Sequence, residues 1–171
     1  GPDTLEVVRA GLETSRESQG AFDLSWAALR GLYDFGPGSH DDPDPREIRR
    51  RIRFVNYRDI VLDEAAGTVF LRRRGMQIGT GGIAKGYALD RAGNILEAAG
   101  IRSYMLFGGG QVQVHGMRGD RPWRVGIQHP READEYFAFL EAGDVSISTS
   151  GDYEHSYFDA AGTRIHHIID T

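Results

Sequence analysis

A glycine-rich segment near residue 80 carries the residue types that bind phosphate groups. It reads Ile78-Gly79-Thr80-Gly81-Gly82-Ile83-Ala84-Lys85-Gly86-Tyr87, between a predicted strand and a helix predicted to begin at Ile83. Glycine lets the backbone approach a ligand closely, and a helix N-terminus offers free N–H groups and a partial positive charge to a phosphate or pyrophosphate. Lys85 falls in the first turn of the predicted helix, where a cation opposes the helix dipole unless an anion lies beside it. A tight turn with a solvent-exposed lysine is the structural alternative.

Two known phosphate-binding motifs fit this segment poorly. A P-loop needs glycine directly before the lysine and serine or threonine after it, whereas Ala84 and Gly86 flank Lys85. The order Gly79-x-Gly81-x-x-Ala84 matches the relaxed dinucleotide-binding fingerprint. That motif also needs an acidic residue about 20 positions further on, at the end of the next strand. The next predicted strand ends at Phe107, and no acidic residue stands there.

Two later segments also contain groups that could take part in chemistry. Residues 146–153 place Thr149 and Ser150 just before a glycine, so their hydroxyls could donate to a phosphate or flavin edge, although this segment alone favours a plain hairpin turn. The other segment is His166-His167-Ile168-Ile169-Asp170. Adjacent residues of a strand point to opposite faces, which argues against a two-histidine metal site made by His166 and His167. One of them could serve as a general base, since neutral imidazole accepts a proton near pH 7, or could simply be a packed or surface residue.

The composition excludes several classes of protein. The 171 residues are 40% hydrophobic and 26% charged, which is typical of a folded soluble protein. The net charge of −5 gives no electrostatic reason to expect a nucleic-acid partner, and no apolar run approaches the ~18 residues of a membrane span. The absence of cysteine removes disulfides and thiolate metal sites. Lys85 is the one lysine among 20 lysine and arginine residues, which draws attention to it.

The elements that must position these segments read as helices followed by antiparallel strands. Apolar spacing predicts a helix over 4–18 that ends at Gln19-Gly20. It also predicts a second helix that holds Trp26, Leu29 and Leu32 and is capped by Asp23 or Ser25. A surface loop over 35–45 and a basic helix over 46–53 follow, then a hairpin of 59–63 and 67–73, a strand over 76–78, a helix over 83–99 and a strand over 102–107. The remaining strands form an antiparallel meander: 111–115, 123–128, 135–141, 144–149, 155–158 and 164–169. Helices packed on a mostly antiparallel sheet make an α+β fold, in a single domain over 1–171.

Taken in order, these motifs resemble the ApbE family over about residues 4–171. The matching runs are Gly20-Ala21-Phe22-Asp23, Gly81-Gly82-Ile83-Ala84-Lys85-Gly86-Tyr87-Ala88, Gly109-Gly110, Trp123-Arg124-Val125-Gly126-Ile127, Thr149-Ser150-Gly151-Asp152-Tyr153 and His167-Ile168-Ile169-Asp170. Each run alone is weak, but several in the same order are specific. The resemblance implies the T-fold-like architecture of that family.

The resemblance also implies an activity and a set of site residues. ApbE proteins are FAD:protein FMN transferases, which use FAD and Mg²⁺ to attach FMN through a phosphoester to a threonine or serine of a target protein. The resemblance implies that His167 is the base and that Gly82 offers its backbone carbonyl to the metal. The residues implied to contact FAD are Ala21, Phe22, Asp23, Gly79, Lys85, Thr149, Ser150 and Ile169.

One departure from the family pattern supports a second hypothesis. Where the family commonly has an aspartate that contacts FAD, two residues before the Gly-Gly pair, this chain has Gly79. The alternative is therefore a non-catalytic flavin-binding protein of the same fold.

The chain ends suggest a part of a longer protein. The chain starts without methionine and stops at Thr171 within an apolar run. The family's metal-binding side chains are expected beyond Thr171. A membrane redox subunit as target and a periplasmic or membrane-anchored location are what the resemblance implies.

Overall fold

The computed structural model describes residues 1–35, 42–132, 134–153, 155–159 and 161–169. The chain forms two compact units, one of residues 1–83 with 154–171 and one of residues 84–153. The structure combines helices with antiparallel sheets, as the predicted α+β class requires. The loop predicted over 35–45 lies largely outside the described residues, and the single domain predicted over 1–171 stays a prediction.

The first unit begins with helix α1 (Pro2–Glu17), which confirms the helix predicted over 4–18. Its apolar positions recur at helical spacing, so Val8 and Leu12 are buried on one face. Gly11 lies on the same face because a Cβ there would come within 2.7 Å of the Leu24 side chain. The helix ends where Gln19 (φ 56°) and Gly20 (φ 94°) turn into the left-handed region.

The second predicted helix is a six-residue 3₁₀ helix (Leu24–Leu29), so its predicted extension to Leu32 is wrong. The predicted cap is confirmed, because the Asp23 carboxylate accepts a hydrogen bond from the Ser25 N–H at 2.7 Å. Helix α2 (Pro45–Ile52) follows the side-chain cap of Asp44 and confirms the predicted basic helix. The 3₁₀ conformation of Leu24–Leu29 is typical of short helical segments, because 3₁₀ helices rarely extend over many residues.

The predicted hairpin is present as β1 (Ile60–Asp63) and β2 (Thr68–Leu71), paired antiparallel with Ile60 opposite Leu71. It packs beside the core of the first unit, whose buried members are Val8, Leu12, Leu24, Tyr57, Ile60 and Met76. The strand predicted over 76–78 is wrong, because these residues pair with no strand in the described part of the chain. Burial of Met76 accounts for the apolar alternation that suggested a strand.

Helix α3 (Gly81–Ala98) follows the glycine-rich segment and begins two residues earlier than predicted. Lys85 is therefore its fifth residue and lies in the second turn, not the first. The helix ends before Gly100, whose φ of 82° is the left-handed conformation expected of a terminating glycine. In the second unit, the Tyr104 hydroxyl lies against Gly93 and donates to Glu97 at 2.8 Å.

The strands of the second unit form two antiparallel groups. Strands β3 (Tyr104–Gly108), β4 (Gln111–His115) and β7 (Val145–Ser148) form a sheet in the order β3-β4-β7. Strands β5 (Trp123–Gln128) and β6 (Tyr136–Ala142) form a separate two-stranded pair among the residues that the structure describes. The predicted strands are confirmed, but the meander is wrong, because β4 pairs with β7 across the inserted β5–β6 hairpin.

The chain returns to the first unit in a last hairpin, β8 (Ser156–Phe158) and β9 (Arg164–His166). Tyr157 is buried there, and its hydroxyl lies 3.4 Å from the Asp42 carboxylate. Burial, and then the Asp42 charge, raise the pKa of Tyr157 above its ordinary value. The strand predicted over 164–169 thus stops at His166, and His167 lies just beyond it.

Candidate active site

In the first unit, Gly79 is hydrogen-bonded to the backbone of Leu24 and to the indole ring of Trp26. The Gly79 N–H donates to the Leu24 carbonyl at 2.8 Å, and the Trp26 indole N–H donates to the Gly79 carbonyl at 3.2 Å. A Cβ at position 79 would lie 2.5 Å from the indole ring. Real Cβ atoms essentially never approach so closely, so this position takes glycine because Trp26 fills the space of a side chain.

The start of α3 combines an open face with an aromatic neighbour. Gly81 and Gly82 are exposed, and an added Cβ at Gly81 would meet no atom within 4 Å. At Gly82 a Cβ would instead approach the Phe22 ring to 2.6 Å. The structure thus places Phe22 beside Gly82, and the exposed helix end can receive an anion over its glycines.

Asp23, predicted to contact FAD, is engaged within the protein through both carboxylate oxygens. One oxygen accepts from the N–H and hydroxyl of Ser25, at 2.7 and 2.6 Å. The other accepts from the backbone N–H of Tyr57 at 2.8 Å. Asp23 therefore fixes the 3₁₀ helix against the 56–57 segment, next to Ala21 and Phe22. Carboxylate oxygens have further lone pairs, so this role leaves room for a ligand contact.

Lys85 reaches the turn between β3 and β4 in the second unit. Its ammonium donates to the Gly109 carbonyl at 2.8 Å, and its stem lies on Gly109, where a Cβ would come within 2.6 Å of the lysine Cδ. The φ of 56° at Gly109 also favours glycine. Because an ammonium carries three donors, two remain for a ligand after this bond.

Thr149 and Ser150 directly follow β7, and both are exposed. Ser148 pairs with Gln111, the first residue after the turn that Lys85 contacts. Lys85, Thr149 and Ser150 therefore lie at the same end of the β3-β4-β7 sheet.

The loop that carries these hydroxyls is held by a residue that the sequence analysis missed. Arg131 donates two hydrogen bonds to the Asp152 carboxylate, both at 2.9 Å. These bonds raise the pKa of the Arg131 guanidinium above its ordinary value. A bidentate arginine–carboxylate pair fixes orientation as well as distance, so it holds the 149–153 segment to the β5–β6 connection.

His167 lies at the end of the β8–β9 hairpin and is exposed. Its backbone N–H donates to the His155 carbonyl at 3.1 Å, and the two imidazole centroids are 5.4 Å apart. Ile169 follows as a half-buried residue. An exposed imidazole at the end of a paired strand is accessible to a hydroxyl nucleophile.

The predicted site residues fall into two sets. Ala21, Phe22, Asp23, Gly79, Gly82, His167 and Ile169 belong to the first unit, and Lys85, Thr149 and Ser150 belong to the second. Contacts gather Phe22 with Gly82 and the 24–26 segment with Gly79. Trp26 and Arg131 support these segments through side-chain hydrogen bonds, and His155 does so through its backbone carbonyl. Their partners lie far away in sequence or across a hairpin, so no local motif marks them.

No three histidine, aspartate or glutamate side chains converge on a common metal position within the part of the chain that the structure describes. Mg²⁺ takes six oxygen ligands in near-octahedral geometry, of which the Gly82 carbonyl would supply one. The Gly82 carbonyl is the one ligand that the resemblance implies within this chain.

Among the residues that the structure describes, no helix has the length and apolar character needed to span a bilayer.

Comparison with known proteins links this geometry to one family. The sequence profile of the ApbE family matches residues 1–171. A protein of Klebsiella pneumoniae named FAD:protein FMN transferase is 32% identical over 167 residues, which are 97% of this chain and 51% of that protein. A Rhodobacter capsulatus protein of the same name is 36% identical, over 99% of this chain and 32% of that protein. The chain thus spans about half the length or less of these curated relatives.

Solved structures give the same result. An ApbE protein from Thermotoga maritima superposes with a TM-score of 0.88 at 30% identity, over 99% of this chain and 55% of that one. The flavin transferase ApbE from Vibrio cholerae superposes with a TM-score of 0.76 at 27% identity, over 90% of this chain and 50% of that one.

Proposed function

Because the chain belongs to the ApbE family, we propose that it is part of an enzyme that transfers FMN from FAD to a threonine or serine hydroxyl of a target protein. The observation that carries this proposal is the family match over all 171 residues, which takes in the candidate residues of both units. The curated relatives bear the name of this activity.

The reaction moves one phosphoryl group and one proton. The hydroxyl oxygen of the target attacks the phosphorus that carries the riboflavin moiety, and a new P–O bond forms. The bond from that phosphorus to the bridging oxygen of the pyrophosphate breaks, so AMP leaves and FMN stays on the target. Such a transfer needs positioning, charge neutralisation and a base for the hydroxyl.

The exposed start of α3 is the proposed pyrophosphate subsite. Gly81 and Gly82 leave the helix end open to a ligand, and the N-terminal N–H groups and dipole favour negative charge. Phe22 lies beside Gly82 and offers a ring for flavin or adenine to pack against. In the second unit, Lys85 would offer a phosphate group of the ligand a compact positive charge through the two donors that Gly109 leaves unused.

His167 is the proposed base. It is exposed, and the bond from its N–H to His155 fixes its backbone at the hairpin end. A neutral imidazole can accept the hydroxyl proton as the oxygen attacks phosphorus. No step of this proposed reaction is assigned to Mg²⁺. When bound, the ion would neutralise phosphate charge.

The proposed function also suggests a target protein and a cellular location for the enzyme. The target would be a flavin-carrying redox subunit at a membrane, and the enzyme would work in the periplasm or anchored to the membrane. These proposals rest on the family resemblance alone.

The test incubates the full-length protein with FAD, Mg²⁺ and a candidate target, and mass spectrometry searches the target for an added FMN. We expect an FMN phosphoester on threonine or serine, lost in His167→Gln and retained in the matched control His166→Gln. FAD binding without any adduct in the native protein would contradict transfer and favour the flavin-carrier alternative. Equal loss of FAD binding and transfer in His167→Gln would show that His167 is structural.

A further inference from the structure

Two histidines lie directly opposite each other at the end of the β8–β9 hairpin. Ser156 pairs with His166, so the next positions outward are His155 and His167. The His167 N–H donates to the His155 carbonyl at 3.1 Å, which continues the ladder to this pair. Opposite residues of an antiparallel pair share one face, unlike the neighbours His166 and His167.

The ring separation suits a shared metal ion. The centroids of His155 and His167 are 5.4 Å apart, with ring planes at 86°. With a metal–nitrogen bond of about 2.05 Å and about 1.15 Å from nitrogen to ring centre, tetrahedral ligation separates two centroids by about 5.2 Å. Both residues are exposed, so rotation of their side chains can turn one nitrogen of each towards a common point.

We propose that His155 and His167 form a two-histidine site for a transition-metal ion such as Zn²⁺, Ni²⁺ or Cu²⁺. Water completes the coordination, because within the described ranges no third histidine or carboxylate joins the pair. Imidazole suits these ions, whereas Mg²⁺ selects oxygen ligands. The site is therefore distinct from any Mg²⁺ site of the proposed transferase.

Other histidines of the described chain have a ring nitrogen engaged. His115 Nδ1 lies 2.9 Å from the Asp144 carboxylate. His129 Nδ1 accepts from the N–H groups of Arg131 and Glu132 at 3.2 and 3.0 Å. His166 Nδ1 accepts from the Ile168 N–H at 3.3 Å, which makes His166 the matched control for its neighbour His167.

The experiment titrates Ni²⁺ into the untagged full-length protein, without FAD, by calorimetry, with and without excess Mg²⁺. We expect one site that Mg²⁺ does not displace. His155→Gln and His167→Gln should each weaken Ni²⁺ binding by about tenfold or more, since each removes one of two ligands, and His166→Gln should not change it. Urea unfolding of each variant checks that the exposed substitutions leave the fold intact.

Three results of this titration would overturn the site: unchanged Ni²⁺ affinity in His155→Gln, equal loss of affinity in His166→Gln, or displacement of Ni²⁺ by Mg²⁺. If the proposed function holds, Ni²⁺ bound to the nitrogen of His167 would also inhibit flavin transfer. The His155→Gln variant would then transfer FMN and resist inhibition by Ni²⁺. Ni²⁺ binding to the pair in a protein that transfers no FMN would refute the transferase and leave the metal site standing. Transfer in His155→Gln as sensitive to Ni²⁺ as in the native protein would count against the metal site alone.

Discussion

Replacing Gly79 with alanine should destabilise the protein through one contact, with Trp26. The new Cβ would lie 2.5 Å from the indole ring, well inside van der Waals contact. Gly79 has no left-handed φ, so the backbone itself accepts alanine. The clash must move the indole, which also strains its hydrogen bond to the Gly79 carbonyl.

The expected cost follows from these two effects. Forcing an extra methyl into a packed position costs about 1–3 kcal/mol, and a hydrogen bond of this kind contributes about 1 kcal/mol. Trp26 is 37% exposed, so its ring can partly swing towards solvent and relieve the clash. We therefore expect Gly79→Ala to lower the free energy of unfolding by about 1–2 kcal/mol.

A double-mutant cycle with urea unfolding isolates the contact. In a Trp26→Ala background, Gly79→Ala should cost close to nothing, which gives a coupling energy of about 1–2 kcal/mol. Gly81→Ala is the matched control, because its Cβ meets open space and its φ is ordinary, so it should leave stability nearly unchanged. The same cost for Gly79→Ala with and without Trp26 would refute the steric argument.

Three further predictions concern the site and the surface. Lys85→Met in the full-length protein should weaken FAD affinity about tenfold in fluorescence titrations. Lys85→Arg should not restore the affinity, because a planar guanidinium differs from the compact ammonium in reach and geometry; full affinity in Lys85→Arg would contradict this. Asp152→Asn should speed limited proteolysis within residues 149–153 with little change in global unfolding, and unchanged cleavage there would contradict the Arg131 brace. Hydrogen bonds from neighbouring arginines lower the pKa of Glu47 from 4.5 to about 2, so stability present above pH 4.5 should fall as the pH drops towards 2. Acid unfolding of Glu47→Gln should lack this component.

Local signals in the sequence predicted most of the elements. The helical spacing of Val8 and Leu12 predicted α1, and the side chain of Asp23 predicted where the next helix begins. Alternating residues located nearly every strand within one or two residues. These patterns involve only residues that are close in the chain, so a single sequence is enough to recognise them.

The errors concern features set by distant contacts. Alternation over 76–78 suggested a strand, but a strand also needs a partner edge, and here burial of Met76 explains the pattern. The insertion of β5–β6 between β4 and β7 depends on pairing, which periodicity does not encode. Gly81 and Gly82 have low helix propensity, yet they form the first turn of α3. The pairing of His155 with His167 follows in the same way from hairpin register, which sequence alone left open.

The glycine at position 79 bears on the choice between enzyme and flavin carrier. Glycine at this position, where the family resemblance implies an aspartate, is the feature that favours a carrier. In the structure, Trp26 occupies the space that any side chain at 79 would enter, and its indole N–H bonds to the Gly79 carbonyl. The two residues therefore form a packing pair, in which tryptophan at 26 favours glycine at 79. Because packing against Trp26 explains glycine at position 79, the missing carboxylate does not by itself argue for lost catalysis. The choice between an enzyme and a flavin carrier therefore depends on His167 and the open start of α3.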